Sequence, residues 1–411
     1  MITSCPRCAT ALSTARGAEP WCPRCEWGLA AFEPDRRHPE IGWRWADRAT
    51  HRIAWRLNES QFRALAHGPL APRTFTMARA AIMALAVVML LCVAAAAAAG
   101  IWLITYDFPR LTILPGVALL GLAVALRPRF PGPGEAQVLS PEEAPELFAL
   151  IERVAAATGA PVPHIVGVDS SINAYATAVG IRRRRVLVLG VPLWAALDPQ
   201  ERVALLGHEL GHFVNGDVRR LPLQTMALTT LGELASLTRP YLPRGSGLYD
   251  LIVGAAQWVL FRVVRALHLL VVSLSQRDSQ RAEYLADALA ARAAGTPAAV
   301  RMMDMFLVTD ALETVICREA RARRAGAAWR EAADTVRRNL AGSLPLLRQL
   351  SRREEASLFA SHPPTGLRAA MLQCRPHLPA EVTLTESQSA RIDEEIAGPM
   401  EQARRDLAAA H

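Results

Sequence analysis

Apolar and polar positions along the chain change rhythm several times, and each change marks a different kind of segment. From Ala80 to Tyr106 no side chain carries a charge. At about 1.5 Å of rise per residue that run exceeds a hydrocarbon core of about 30 Å, so it is expected to cross a membrane as a helix. Leu111 to Leu126 is also apolar, but shorter, with Pro115 near its start. Only Asp107-Phe108-Pro109-Arg110 separates the two runs, which leaves room for little but a hairpin. Two later stretches are apolar but interrupted. Leu221 to Leu237 carries Glu233, and Leu248 to Leu274 carries Arg262, Arg265 and His268, which recur on one helical face. Charged groups at bilayer depth face a cavity, a partner or the interface. This second pair therefore either spans with its basic stripe turned toward water or lies partly in the interface.

The rest of the chain has the texture of a soluble domain. Pro128 to Gly134, rich in Pro and Gly, reads as a linker. Pro145 to Thr158 has helical periodicity and stops at Gly159. His164–Val168, Ala174–Val179 and Val186–Leu189 are short runs with strand character, bounded by turn residues. Asp198-Pro199-Gln200-Glu201 opens a helix, with a capping carboxylate, Pro at the first helical position and Glu three after the cap. From about residue 280 onward the chain is Ala- and Arg-rich and helical in pattern. The fold expected is mainly α, with a small β-sheet and membrane-crossing helices.

Composition sharpens this reading. Hydrophobic residues make up 51% against 20% charged, and the net charge is +8. Arg63, Arg73 and Arg79 precede the first apolar pair, and Arg127 and Arg129 follow it. By the positive-inside rule both flanks are cytoplasmic, which accounts for much of the basic balance without nucleic acid as a partner. Seven cysteines are present, four of them as Cys5-Pro-Arg-Cys8 and Cys22-Pro-Arg-Cys25. Two such knuckles can bring four thiolates to one tetrahedral zinc, so residues 1–30 read as a zinc ribbon; a redox pair or unbound cysteines is the competing reading. No secretory signal opens the sequence, and the N-terminus is expected in the cytoplasm. Residues 36–76 are basic, with Trp43, Trp45 and Trp55 among Arg44, Arg48, Arg52 and Arg56. They suit either a membrane-surface helix or a solvated helix docked on the ribbon.

The chemistry lies in the helix opened by Pro199. His208-Glu209-Leu210-Gly211-His212 places two imidazoles one turn apart on one face, where both reach one zinc ion, and Glu209 can take a proton from the attacking water. A catalytic zinc also needs a third protein ligand and an open position. The candidate is Glu283, in Arg281-Ala282-Glu283-Tyr284-Leu285-Ala286-Asp287, with Asp287 one turn on and able to orient a ligating imidazole. Taken alone, Glu283 reads equally well as a surface residue paired with Arg277 or Arg281.

His208 to Asp217, followed after apolar segments by Glu283 to Asp287, resembles the membrane zinc endopeptidases typified by HtpX and the CAAX prenyl endopeptidase. The resemblance covers roughly residues 77–375. Ile172-Asn173-Ala174-Tyr175-Ala176 resembles the strand bordering the substrate cleft, and Ser361-His362-Pro363-Pro364-Thr365-Gly366-Leu367-Arg368 a segment near the active site. The resemblance implies a zincin-like catalytic domain of gluzincin type. It implies zinc held by His208, His212 and Glu283, with Glu209 as the base. It further implies Asn173, Ala174 and Tyr175 along the substrate, and His362 and Arg368 lining the cleft near the developing oxyanion.

The expected layout is a zinc ribbon (1–30), a basic segment (36–76), a transmembrane hairpin (77–127) and an α/β catalytic part (136–220). Two further membrane-associated segments (221–276), a helical catalytic part (277–375) and a C-terminal tail (376–411) follow. The expected activity is zinc-dependent cleavage of extended or unfolded membrane-protein segments on the cytoplasmic side, as in quality control. The partners would be polypeptides and the lipid bilayer. Two other readings compete: a ribbon-bearing scaffold that binds peptides without cutting them, and a ribbon that tethers nucleic acid to the membrane. Oligomeric state cannot be read from the sequence.

Overall fold

A computed structural model describes residues 3–36, 39–71, 77–106, 110–127, 136–180, 182–216, 228–240 and 247–410. The Pro128–Gly134 linker, Arg73, Asp217 and the start of the third apolar stretch (221–227) lie outside the described residues. The chain divides into two compact units. One comprises residues 1–72, 132–218 and 279–411, the other residues 73–131 and 219–278.

The first unit is built around a four-stranded sheet in the order β1-β2-β4-β3. Its strands are β1 (Gln137–Leu139), β2 (Ile165–Asp169), β3 (Ala174–Val179) and β4 (Arg184–Gly190). β2 and β4 run parallel, and the outer strands β1 and β3 pair antiparallel. Alternation along β4 sorts its side chains: Leu187 and Leu189 join the main core, whereas Val186 and Val188 face a smaller cluster with Tyr175. Among the helices before the one that carries His208 and His212, α1 is Arg44–Ala66, α4 Pro145–Thr158 and α5 Val191–Ala196. The helix of the two histidines, α6 (Pro199–Asn215), starts as its sequence directs, with Glu201 accepting from the Asp198 N–H at 3.1 Å. It stops at Gly216, whose φ of 66° is the left-handed conformation glycine adopts without strain. Leu147, Leu150, Ile151 and Val154 of α4 meet Val203, Leu206 and Leu210 of α6 in the same core.

Later helices complete this unit: α9 (Thr296–Leu307), α10 (Thr309–Arg321), α11 (Ala327–Leu340), α12 (Leu344–Glu354), α13 (Thr365–Cys374), α14 (Glu386–Glu395) and α15 (Ala397–Ala410). Where the sequence suggested a tail after residue 376, the structure has α14 and α15 packed on the core through Ile392, Ile396, Met400 and Ala403. The fully buried Arg202 of α6 donates to Ser389 and Asp393 of α14, both at 2.7 Å. A buried guanidinium is stable only with such acceptors, so these helices belong to the fold.

The N-terminal ribbon is two copies of one turn. Cys5 and Cys22 each accept an N–H from the residue four ahead, Ala9 and Glu26. Each also donates its own N–H to the carbonyl five ahead, of Thr10 and Trp27. Ala9 and Glu26 both take positive φ, 56° and 57°. The basic segment contains a two-faced helix, α1. Ala46, Asp47, His51, Ala54 and Asn58 are buried, while Trp45, Arg48, Arg52 and Arg56 are exposed.

The second unit holds α2 (Met77–Thr105), α3 (Ile113–Ala125), a helix at 228–237 (α7) and the first part of α8 (Leu248–Ala294). α2 and α3 form the expected hairpin, and glycines let them approach. A Cβ built on Gly100 would lie 2.9 Å from the Gly116 carbonyl oxygen. Val87, Val88, Leu91, Ile101 and Trp102 of α2 are exposed, as are Ile252, Val263 and Leu270 of α8. Two helices, Ala80–Thr105 and Tyr249–Ala294, are long and apolar enough to cross a membrane. α8 is one unbroken helix of 47 residues, about 70 Å at 1.5 Å per residue. The two units divide within this helix, between residues 278 and 279. Arg262 lies over the Trp258 ring and Arg265 over Phe261, each one turn back.

Candidate active site

Helix pitch places His208 and His212 on one side of α6, and α8 brings up its carboxylates because both helices are cut away where they cross. A Cβ built on Gly207 would lie 2.9 Å from Ala290 Cα, and one on Gly211 would lie 2.9 Å from Ala286 Cα. Gly207 and Gly211 on α6 face Ala286 and Ala290 on α8, each pair four residues apart, so the two backbones nearly touch. Asn215 adds a bond from its side-chain amide to the Ala282 carbonyl, 3.0 Å. The sequence reading missed these small residues; their matched spacing on the two helices was the available signal.

This crossing gathers the ligand set. Glu283 Oε2 lies 3.5 Å from His208 Nε2, and Glu283 Oε1 lies 3.6 Å from His212 Nε2. Ligand atoms of all three residues lie within 4.8 Å of one another. Four ligands at about 2.1 Å around a tetrahedral zinc would stand about 3.4 Å apart, so the spacing and the two-imidazole, one-carboxylate chemistry fit zinc. Glu283 and His208 are buried, and Glu283 Oε2 is faced by nitrogens of His208, His362 and Arg368. A buried carboxylate facing two imidazoles suits a cation.

Around the set, each predicted residue has a definite place. Asp287, fully buried, lies 3.0 Å from His208 Nδ1. Accepting a proton there leaves Nε2 as the free lone pair facing Glu283. Arg368 is buried on α13; its Nε and one terminal nitrogen donate to Asp287 at 2.8 and 2.6 Å. The same terminal nitrogen lies 3.4 Å from Glu283 Oε2. The structure thus sets Arg368 behind the ligands, not on the cleft wall as the resemblance implied, because Asp287 engages its guanidinium in a bidentate pair. His362 is 57% exposed, with Nδ1 2.8 Å from Glu283 Oε2, so its ring reaches both the cluster and solvent. Glu209 is buried, and that burial raises its carboxyl to about 7. Burial lowers His212 to about 4, keeping its imidazole neutral and able to donate a lone pair.

β3 is an edge strand of the sheet, and among the described residues none pairs with its outer side. The Gly190 N–H donates to the Asn173 carbonyl at 2.8 Å, so Asn173 faces β4. Alternation in an antiparallel ladder then turns the backbone N–H and C=O of Ala174 and Ala176 outward, while Tyr175 faces β4. The edge groups free to pair with an extended peptide are thus those of Ala174 and Ala176. Asn173 contributes an exposed side chain, and its carbonyl is engaged.

The second cluster of metal-ligand type is the ribbon. Cys5 and Cys25 sulfurs lie 3.6 Å apart, Cys8 and Cys22 3.4 Å, and Cys8 and Cys25 3.5 Å. All four cysteines are unbridged. Zinc–sulfur bonds of about 2.3 Å would place tetrahedral thiolates about 3.8 Å apart, so this set also fits zinc.

Comparison with known proteins agrees with the geometry. The profile of peptidase family M48 matches residues 141–375, which include α6, Glu283 and Arg368. A protease HtpX homolog from Moorella thermoacetica is 40% identical over 95 residues, 23% of this chain and 31% of that protein. The chain thus spans under a third of that relative's length. Homologs of the same name from Gemmatimonas aurantiaca and Acidiphilium cryptum are each 27% identical. They align with 58% and 56% of this chain and with 78% and 73% of their own lengths. No solved structure matches. The helix of the two histidines and the carboxylate helix packed on it therefore stand within one matched region: the chain belongs to peptidase family M48, among the HtpX-like membrane metalloproteases.

Proposed function

We propose that the protein is a zinc-dependent endopeptidase anchored in a membrane, cutting extended or unfolded protein segments on the cytoplasmic side. One observation carries the reading: His208, His212 and Glu283 converge in a buried cluster beside a Glu209 whose carboxyl is raised toward neutrality. A bound zinc would supply Lewis acidity, acidifying water and polarising a carbonyl. His208 Nε2, His212 Nε2 and a Glu283 oxygen would hold it. The Glu209 carboxylate takes a proton from the attacking water and passes it to the leaving amine. Asp287 fixes the tautomer of His208, and Arg368 fixes Asp287. His362, reaching from Glu283 to solvent, is placed to donate toward a substrate oxygen.

Substrate class follows from the edge strand. An extended peptide can add to β3 through backbone bonds to Ala174 and Ala176 that ask for no particular side chain. Such a mode selects unfolded or loop segments, which supports a role in quality control. Arg63 and Arg127 flanking the apolar hairpin and the unbridged cysteines support the cytoplasmic side. A second zinc in the ribbon is part of the same proposal.

The test is cleavage of casein by detergent-purified, zinc-supplied protein, beside Glu209→Gln and a chelator control. Cleavage lost in both controls supports the assignment. Cleavage that survives Glu209→Gln, or a protein that takes up no metal beyond the ribbon's, overturns it.

A further inference from the structure

We infer that the four-cysteine ribbon is a metal-dependent brace for the catalytic ligand cage, acting through α12 and α13. α12 has two working faces. On one, Arg353, 2% exposed, inserts into the ribbon. It donates to the carbonyls of Glu19, Gly28 and Leu29 at 3.0, 2.9 and 2.9 Å, pairs with Glu33, and lies over the Trp21 ring. Gln349 accepts from Trp21 Nε1 at 2.8 Å and donates to the carbonyl of Pro23, inside the second cysteine knuckle. Arg352 grips Glu26, the residue after Cys25.

The other face of α12 seats the start of α13. Glu355, just past its end, accepts the Thr365 N–H at 2.6 Å and the Thr365 hydroxyl at 2.9 Å. Ser351 Oγ accepts the Gly366 N–H at 2.8 Å. A Cβ built on Gly366 would stand 1.8 Å from the Arg348 carbonyl oxygen, so α13 rests directly on the α12 backbone. Within one turn of that contact comes Arg368, which holds Asp287 and lies 3.3 Å from His208 Nδ1. Ribbon and ligand cage are thus joined by one helix and a few hydrogen bonds.

The coupling has a physical direction. Few side chains in the ribbon are buried, chiefly Ala18, Trp21 and Leu29 beside the cysteines, too small a core to keep its shape without a crosslink or metal. If its metal is lost, Arg353 loses the carbonyls and carboxylate that satisfy a buried cation, and α12 keeps only its other anchors, Leu347 in the core and the Arg348–Asp304 pair. α13 then loosens, Asp287 loses its partner, and His208 is no longer held for metal binding. The ribbon therefore reports cytoplasmic metal supply or thiol modification to the catalytic centre. The coupling does not depend on the peptidase reading; only its consequence for proteolysis rests on that reading.

The experiment uses the full chain in detergent. The chain carries Cys374→Ser, because Cys374 is an exposed thiol at the end of α13 that a mercurial would modify directly. p-Mercuribenzenesulfonate then ejects metal from the ribbon thiolates, and hydrogen–deuterium exchange is followed in peptides covering α13 (365–374) and α4 (145–158). Exchange in α13 should rise at least tenfold while α4 stays unchanged. Arg353→Met, which leaves all four cysteines in place, should give the same exchange pattern. Loaded with cobalt, it should keep the thiolate charge-transfer band of the ribbon but bind cobalt at the histidine site at least tenfold more weakly in chelator competition. Unchanged α13 exchange after metal ejection overturns the inference, whether or not Arg353→Met folds. Wild type that shows thiolate–cobalt bands but no histidine-site cobalt would refute the peptidase reading, while α13 exchange would still decide the coupling.

Discussion

The two metal-type clusters among the described residues are assembled in opposite ways. The ribbon draws its four sulfurs from residues 5–25, and each knuckle forms its own geometry: a Cys-Pro-Arg-Cys turn, a positive-φ residue after it, and two backbone bonds to the first cysteine. The helical cluster draws His208 and His212 from α6 and Glu283 from α8, with residues 219–278 of the second unit between them in the chain. Four protein donors complete the first cluster, and such sites stabilise folds. Three donors leave the second with room for water or substrate, and Glu209 stands next to them, so that cluster is the one equipped for chemistry. A ligand set assembled across two packed helices is also the more easily disturbed by changes at a distance.

That contrast can be tested by substitution. The largest effect should come from Glu209→Gln, with kcat lower by roughly 10²–10⁴ and both metals retained in elemental analysis. Loss of metal from the helical site in this variant would make Glu209 structural and blur the contrast. Asp287→Asn should weaken metal at the helical site by about 10–100-fold in chelator competition and leave the ribbon's metal untouched. Equal weakening at both sites would show that the loss is one of general stability. Gly211→Ala should destabilise by about 1–3 kcal/mol, because its methyl must displace the Ala286 backbone. Thermal unfolding would measure it, and an unchanged Tm would show that the crossing relaxes at no cost. Ala176→Pro removes one outward N–H from β3 and should lower kcat/KM for an unfolded substrate by about tenfold, the worth of one hydrogen bond of about 1 kcal/mol, with Tm little changed. Unaltered kinetics would move the substrate off that edge.

Much of this was legible because it depends on neighbours in sequence. The start and end of α6, the α4 span Pro145–Thr158 and the hairpin of α2 and α3 lie where capping, periodicity and run length predict. The facing imidazoles follow from helical pitch. What escaped the sequence reading depends on partners far along the chain. β1 has too few residues to signal itself and exists because β2 offers it an edge. α14 and α15 looked like a tail because their apolar positions are sparse, and Arg202 holds them from the other side of the unit. Arg368 suggested the cleft, but its direction was set by a carboxylate on α8 that α13 meets only after folding.

By itself the sequence determined the local instruments: which segments are apolar enough for a membrane, where α6 begins, how two thiol knuckles turn, and that His208, Glu209 and His212 share one stretch of helix. These rest on interactions within a few residues, whose geometry the backbone imposes. Only the tertiary structure decided that Glu283 meets both histidines, that Gly207 and Gly211 let α8 come close enough for it, and that Arg353 ties the ribbon to the helix beneath Arg368. Those are contacts between distant segments, formed only once the packing of the core has set the distances between them.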